Sequence, residues 1–243
     1  MIMKTLNQYI KEKLIINKNY RDANIVTPKS FDELRKIIKD RSFILGPGTK
    51  QKPIDFNDID VSNFDSFYDK NKGGIFEGTK FKYIDISDWD VSNIMSMFGM
   101  FAWCEELESA GDLSNWDVSK VTNMSHMFYE CKSFNQDLSG WDVSNVTNME
   151  YMFTSCKKFN GYISEWNVSS VTDMHKMFEG CEKFNQDISK WDVSKVNNMS
   201  FMFNYCENFN KDLSDWDVSK VYDRTAMFHC CPIKEEYKPK FKK

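Results

Sequence analysis

The sequence predicts an α/β solenoid: about seven coils stacked on one another, each holding one short parallel strand and one helical segment, behind an N-terminal helical cap. Three observations carry this expectation. Trp116, Trp141, Trp166, Trp191 and Trp216 follow one another every 25 residues, with Trp89 standing 27 before Trp116 and a decayed copy opening at Ile59-Asp-Val-Ser-Asn. A fixed period between about 20 and 50 residues marks a stacked architecture, because one such unit cannot bury its apolar faces alone. Within a coil, Leu138, Trp141 and Val143 end in the in-and-out spacing of a strand. Val146, Met149, Met152 or Phe153, Cys156 and Phe159 then recur every three or four residues, like one face of a helix.

Taken from the N-terminus, Leu6, Tyr9, Ile10 and Leu14 follow helical spacing, and Ser30-Phe-Asp-Glu33 is a capping-box pattern opening a second helix that reaches about Arg41. Residues 1–55 are therefore expected to be a helical cap on the first coil or, alternatively, a docking segment. Residues 56–231 are the repeat. Ser144 falls where a helix N-cap belongs. Asn135, Asn160, Asn185 and Asn210 mark the turn back toward the strand, a position where Asn tolerates unusual dihedrals and bonds to backbone. The first Met of the helical segment recurs at Met97, Met124, Met149, Met174 and Met199, and its counterpart in the last coil is Arg224, a charge suited to a solvent-facing end. Residues 232–243, with Pro232 and several lysines, are expected to be a mobile basic tail.

Composition narrows the function classes. Hydrophobic residues are 41% and aromatics 15% of the 243, enough apolar surface to fold, yet no run approaches the ~18 apolar residues of a membrane span. The first residues lack an apolar signal core and a small-residue cleavage site, which favours a cytoplasmic or virion-associated protein over classical secretion. Residues 56–231 carry 28 acidic against 15 basic side chains, whereas both ends are basic. That balance disfavours nucleic acid as the ligand of the repeat.

No catalytic, cofactor or metal constellation emerges. Cys104, Cys131, Cys156, Cys181, Cys206 and Cys231 each follow their coil's Trp by 15 residues, so they form one column, best read as buried free thiols, with Cys230 beside the last. His126, His175 and His229 follow theirs by 10, 9 and 13 residues and are expected to lie apart at the surface. Two sets of residues remain as candidate contacts. Asp90, Asp117, Asp142, Asp192 and Asp217 sit between Trp and Val on the outward side of the strand and would make an acidic ribbon. Stacked like charges need either local hydrogen bonds or a basic partner, and both readings stay open. Phe98, Trp103, Tyr129, Tyr151, Phe201 and Tyr205 are large aromatics on the outer side of the helical segments, either half-buried between coils or part of an interface. Of the two, the acidic ribbon has the stronger claim, because it recurs in nearly every coil.

The run Trp-Asp-Val-Ser-Asn-Val-Thr-Asn-Met-x-x-Met-Phe-x-x-Cys-x-x-Phe-Asn, with Gln-Asp-Leu-Ser after it, resembles the BspA-like leucine-rich-repeat surface proteins of bacteria over roughly residues 59–231. The resemblance implies a leucine-rich-repeat-like solenoid and an adhesion or protein-binding role, and it supplies no catalytic residues. The export signal and lipoprotein cysteine of the surface members are not visible, which leaves a phage- or virus-encoded member open. The expected function is a non-enzymatic module binding a protein, one with a basic surface if the acidic ribbon is the contact. The competing class is a structural component or spacer of a larger assembly such as a virion or cell envelope.

Overall fold

One coil is joined to the next by single parallel bridges, Ser66 to Ser96, then Asn123, Asn148, Asp173, Asn198 and Asp223. The computed structural model describes residues 25–241. The bridge position lies seven residues after the Trp, not at the Leu-x-x-Trp-x-Val segment where a strand was expected. The expected α/β solenoid of leucine-rich-repeat type, with a strand and a helix in each coil, does not form. Helix among the described residues is limited to α1 (Phe31–Leu45) and a 3-10 turn at Glu235–Tyr237. The strands β1 (Ile54–Asp55), β2 (Tyr68–Asp69), β3 (Gly73–Gly74) and β4 (Ile84–Asp85) have two residues each, β1 pairing in parallel with β4 and β2 with β3 as a hairpin. From residue 86 to 234 the chain is a stack of turns.

The turns explain the misleading periodicity. In the coil that starts at Trp141, Val146 N–H donates to Val143 C=O, Met152 to Met149, Cys156 to Phe153 and Phe159 to Cys156, all at 2.9–3.2 Å. Each is a three-residue step between apolar corners, so the spacing imitates a helix face. A helix is excluded by Tyr151 and Ser155, with φ of 56° and 60°, which break the right-handed path every four residues. The same two positions are left-handed in the other coils: Gly99, His126, Lys176, Phe201 and Ala226 in one column, Trp103, Glu130, Gly180, Tyr205 and Cys230 in the other. Ser144, expected as a helix N-cap, instead donates its N–H to the Asp142 carboxylate at 3.0 Å.

The core is a set of ladders. Trp116, Trp141, Trp166 and Trp191 stack at 6.3–6.4 Å with ring planes within 6° of parallel. Each indole N–H donates to a carbonyl of the preceding coil, as Trp141 does to Leu113 at 3.0 Å, so the buried donor is satisfied. Phe128, Phe153, Phe178 and Phe203 form a second ladder at 5.6–5.8 Å. The thiols of Cys131, Cys156, Cys181 and Cys206 donate to Phe carbonyls of the coil before at 2.9–3.0 Å. Five cysteines of the column are buried and free, whereas Cys231 is only half-buried and Cys230 is exposed. The Asn column acts between coils: Asn160, Asn185 and Asn210 donate their backbone N–H to the side-chain oxygen of the Asn one coil earlier at 2.7–3.2 Å.

At the N-terminal side, Ser30 accepts from Glu33 N–H and the Glu33 carboxylate accepts from Lys29 N–H, starting α1, which ends at Gly46 with φ 73°. The helix runs four residues beyond Arg41 and buries Leu34 and Ile38 against the first coil, while Arg41 makes a two-pronged pair with Asp58 at 2.6 Å. The expected helix around Leu6 to Leu14 lies outside the described residues. At the other end, the tail is packed where mobility was expected: Ile233 is buried, Leu213 N–H donates to Tyr237 C=O at 2.8 Å, and the Arg224 guanidinium lies 4.5 Å over the Phe241 ring. The apolar end of the last coil gives Ile233 and Tyr237 something to cover.

Candidate functional site: an aromatic ribbon on the left-handed columns

Left-handed residues turn their side chains away from the core, and here His126, Tyr151 and Phe201 at such positions meet Tyr68, Phe98 and His175 at ordinary ones, so the variable aromatics of successive coils come together. Tyr68 and Phe98 rings are 4.4 Å apart, Phe98 and His126 5.0 Å, His126 and Tyr151 4.5 Å, Tyr151 and His175 4.9 Å, and His175 and Phe201 6.2 Å. A second file runs beside this ribbon, with Trp103 against Tyr129 at 5.1 Å and Tyr129 against Tyr151 at 6.0 Å. Tyr205, farther along, meets His229 at 5.7 Å. The rings are half-buried by one another but open to solvent at the edges, with Trp103 46% and Tyr205 50% exposed. Near the first coils the ribbon borders an open cleft of about 420 Å³ between Tyr68, Lys72, Phe98, Trp103 and His126.

Polar groups fix the ribbon. Tyr151 hydroxyl and His175 Nε2 are 3.0 Å apart, and His175 Nδ1 is 2.7 Å from the Ser200 hydroxyl. Lys176 replaces an aromatic in the column and places its ammonium 5.4 Å over Tyr151 and 5.2 Å over Phe201, balanced by Glu179 at 3.1 Å. His126 is pressed between Phe98 and Tyr151; burial, and secondarily the charge of His175, pulls its imidazole down to about 4. Its Nδ1 is buried without a partner. His126 and His175 thus share one surface, against the expectation that the histidines lie apart.

The acidic ribbon has a different character. Asp90, Asp117, Asp142, Asp192 and Asp217 are all exposed, and each accepts the backbone N–H of the Ser two residues on at 3.0–3.1 Å. The Ser119 and Ser194 hydroxyls, then the Ser amides, hold the Asp117 and Asp192 carboxyls below the usual carboxylate range. One oxygen of each carboxylate therefore closes a turn.

Sequence reasoning picked out Phe98, Trp103, Tyr129, Tyr151, Phe201 and Tyr205 but missed Tyr68, His126, His175 and Lys176. For His126 and Lys176 a signal was present: ten residues after each Trp stand Gly99, His126, Tyr151, Lys176, Phe201 and Ala226. A column that tolerates glycine beside bulky residues marks a backbone with positive φ whose side chain faces outward. No group of three or more His, Cys, Asp or Glu able to hold a metal ion occurs among the described residues. No helix among them is long and apolar enough to cross a membrane.

These features define a repeat protein of stacked, turn-built coils, with a uniform interior and a variable aromatic outer face. Two segments, residues 49–160 and 136–238, match the family described as Mycoplasma protein of unknown function, DUF285, and the chain belongs to that family. The overlap of the two matches agrees with a tandem repeat. No curated protein and no solved structure matches the chain.

Proposed function

We propose that this chain is a non-enzymatic protein-binding module and that the aromatic ribbon is its contact surface. The observation that carries the reading is the unbroken series of ring contacts from Tyr68 to Phe201, which runs across successive coils. Tyr and Trp are enriched among the residues that dominate interface energetics, and rings held by their neighbours lose little freedom on binding. A binding or adhesive role is also what the resemblance to BspA-like repeats implies. The ribbon is favoured over the aspartates because their carboxylates already serve the turns.

The test is retention of a stoichiometric partner from the native source by full-length protein and two variants of unchanged Tm. The expected result is loss of the partner with Tyr129→Ala/Tyr151→Ala, and retention with Asp117, Asp142, Asp192 and Asp217 all changed to Asn. The reverse pattern would move the site to the acidic ribbon. A partner held equally by both variants would support the spacer reading, in which the ends attach.

A further inference from the structure

Along one segment of each coil, the backbone hydrogen bonds to the next coil share one polarity, whereas the Thr172 and Asn197 amides outside it donate to the coil before. The amides of Met174, Lys176, Phe178 and Gly180 donate to the carbonyls of Asn198, Ser200, Met202 and Asn204 of the next coil. Met199, Phe201, Phe203 and Tyr205 do the same to Asp223, Thr225, Met227 and His229 at 2.8–2.9 Å. Every second peptide along this part of the coil therefore points its N–H toward the C-terminal end of the stack and its carbonyl toward the N-terminal end. Aligned peptides add their dipoles, as they do in a helix, and leave partial positive charge on the donor end.

In the last coil Ala226, Phe228 and Cys230 occupy the positions of Phe201, Phe203 and Tyr205, and their amides meet no acceptor among the described residues. Ala226 and Phe228 are half-buried and Cys230 is exposed, so this edge borders solvent. The tail covers the core instead: it pairs with Leu213 and sends the Lys238 ammonium to within 5.8 Å of the Phe228 ring. Residues 220–241 carry five basic against three acidic side chains, opposite to the balance of the repeat.

We propose that this rim docks an extended acidic segment of a partner protein, which adds to the stack as a strand adds to a sheet edge. Its carbonyl oxygens accept from Ala226, Phe228 and Cys230, and its carboxylates meet the positive end of the aligned peptides beside Arg224 and Lys238, which their ring contacts place at the rim and of which Lys238 exchanges its Glu235 partner for the incoming carboxylate. The inference is independent of the aromatic ribbon, which lies along the side of the stack.

Amide hydrogen exchange on the full-length protein tests the proposal, with a glutamate decapeptide as probe and a lysine decapeptide and free glutamate as comparisons at matched ionic strength. In the free protein the amides of Ala226, Phe228 and Cys230 should exchange far faster than those of Phe201, Phe203 and Tyr205. Saturating glutamate decapeptide should slow the three rim amides by about tenfold or more, while the comparisons leave them unchanged. Arg224→Glu combined with Lys238→Glu should abolish that protection. Rim amides already protected in the free protein, or protection that free glutamate reproduces, would overturn the docking edge; so would decapeptide binding that leaves the three amides fast.

Discussion

The inward and outward positions of the same coil obey opposite rules. Inside, a Trp, a Phe and a Cys recur with almost no change, because each Trp and Phe stacks on its own counterpart in the next coil, each Cys bonds to the backbone of the coil before, and a substitution is felt in the neighbouring coil as well. Outside, the left-handed columns repeat in backbone only: Gly99, His126, Tyr151, Lys176, Phe201 and Ala226 share positive φ and nothing else. The ladders and the inter-coil hydrogen bonds fix the backbone, which leaves the outer side chains free to differ. Variation there is compatible with recognition; variation inside is not compatible with the stack.

The largest contrast should appear in thiol chemistry. Cys230 is exposed, while burial pushes the Cys131, Cys156 and Cys206 thiols up and seals them from solvent. Reaction of the five buried cysteines with a neutral thiol reagent should lag Cys230 by on the order of a thousandfold, because it waits on opening of a core worth several kcal/mol. Seven thiols reacting together in the native protein would mean the interior ladder is not closed.

Next in size is truncation of an interior ring. Trp166→Ala removes a ring stacked on both Trp141 and Trp191 and the N–H that satisfies Leu138 C=O, and should cost about 3–5 kcal/mol in urea unfolding. Tyr205→Ala on the outer face should cost under about 1 kcal/mol. Equal costs at the two sites would erase the distinction between inside and outside.

His126 sharpens the comparison because it is an outer residue that is partly buried. Its folded ring stays neutral down to about pH 4, whereas an unfolded His titrates near 6.5. Between these values the unfolded chain binds the extra proton, so this group's contribution is fully present above about pH 6.5 and lost as pH falls toward 4. With the ring partly open to solvent the loss should be about 1–2 kcal/mol. Wild-type and His126→Phe stability measured from pH 7 to 4 should diverge by that amount; parallel curves would show that the ring is solvated.

The smallest effect probes the backbone rule itself. Ser155 has φ 60°, and Gly180 fills the same position one coil later with φ 70°. Ser155→Gly should therefore be neutral or raise stability by up to about 1 kcal/mol, the opposite of a glycine placed in a helix. A loss of about 1 kcal/mol, read from Tm, would mean that the left-handed assignment fails.

The 25-residue period, the identity of the interior columns, the helix capped at Ser30 and most of the outer aromatics were legible in the sequence. Each rests on local spacing or on repetition of one residue type, which a chain displays before it folds. The path of the backbone inside a coil was not. Apolar residues three and four apart suit a helix face and a series of three-residue turns equally well. Only the hydrogen bonds from Met149, Tyr151, Phe153 and Ser155 to the next coil, formed across 24 residues, select the turns and hold Tyr151 and Ser155 left-handed. The same long-range bonds bring His126, Tyr151 and His175 onto one face and leave the amides of Ala226, Phe228 and Cys230 without acceptors among the described residues. Repetition in the sequence determined that the coils would stack; contacts between coils decided what shape each coil takes.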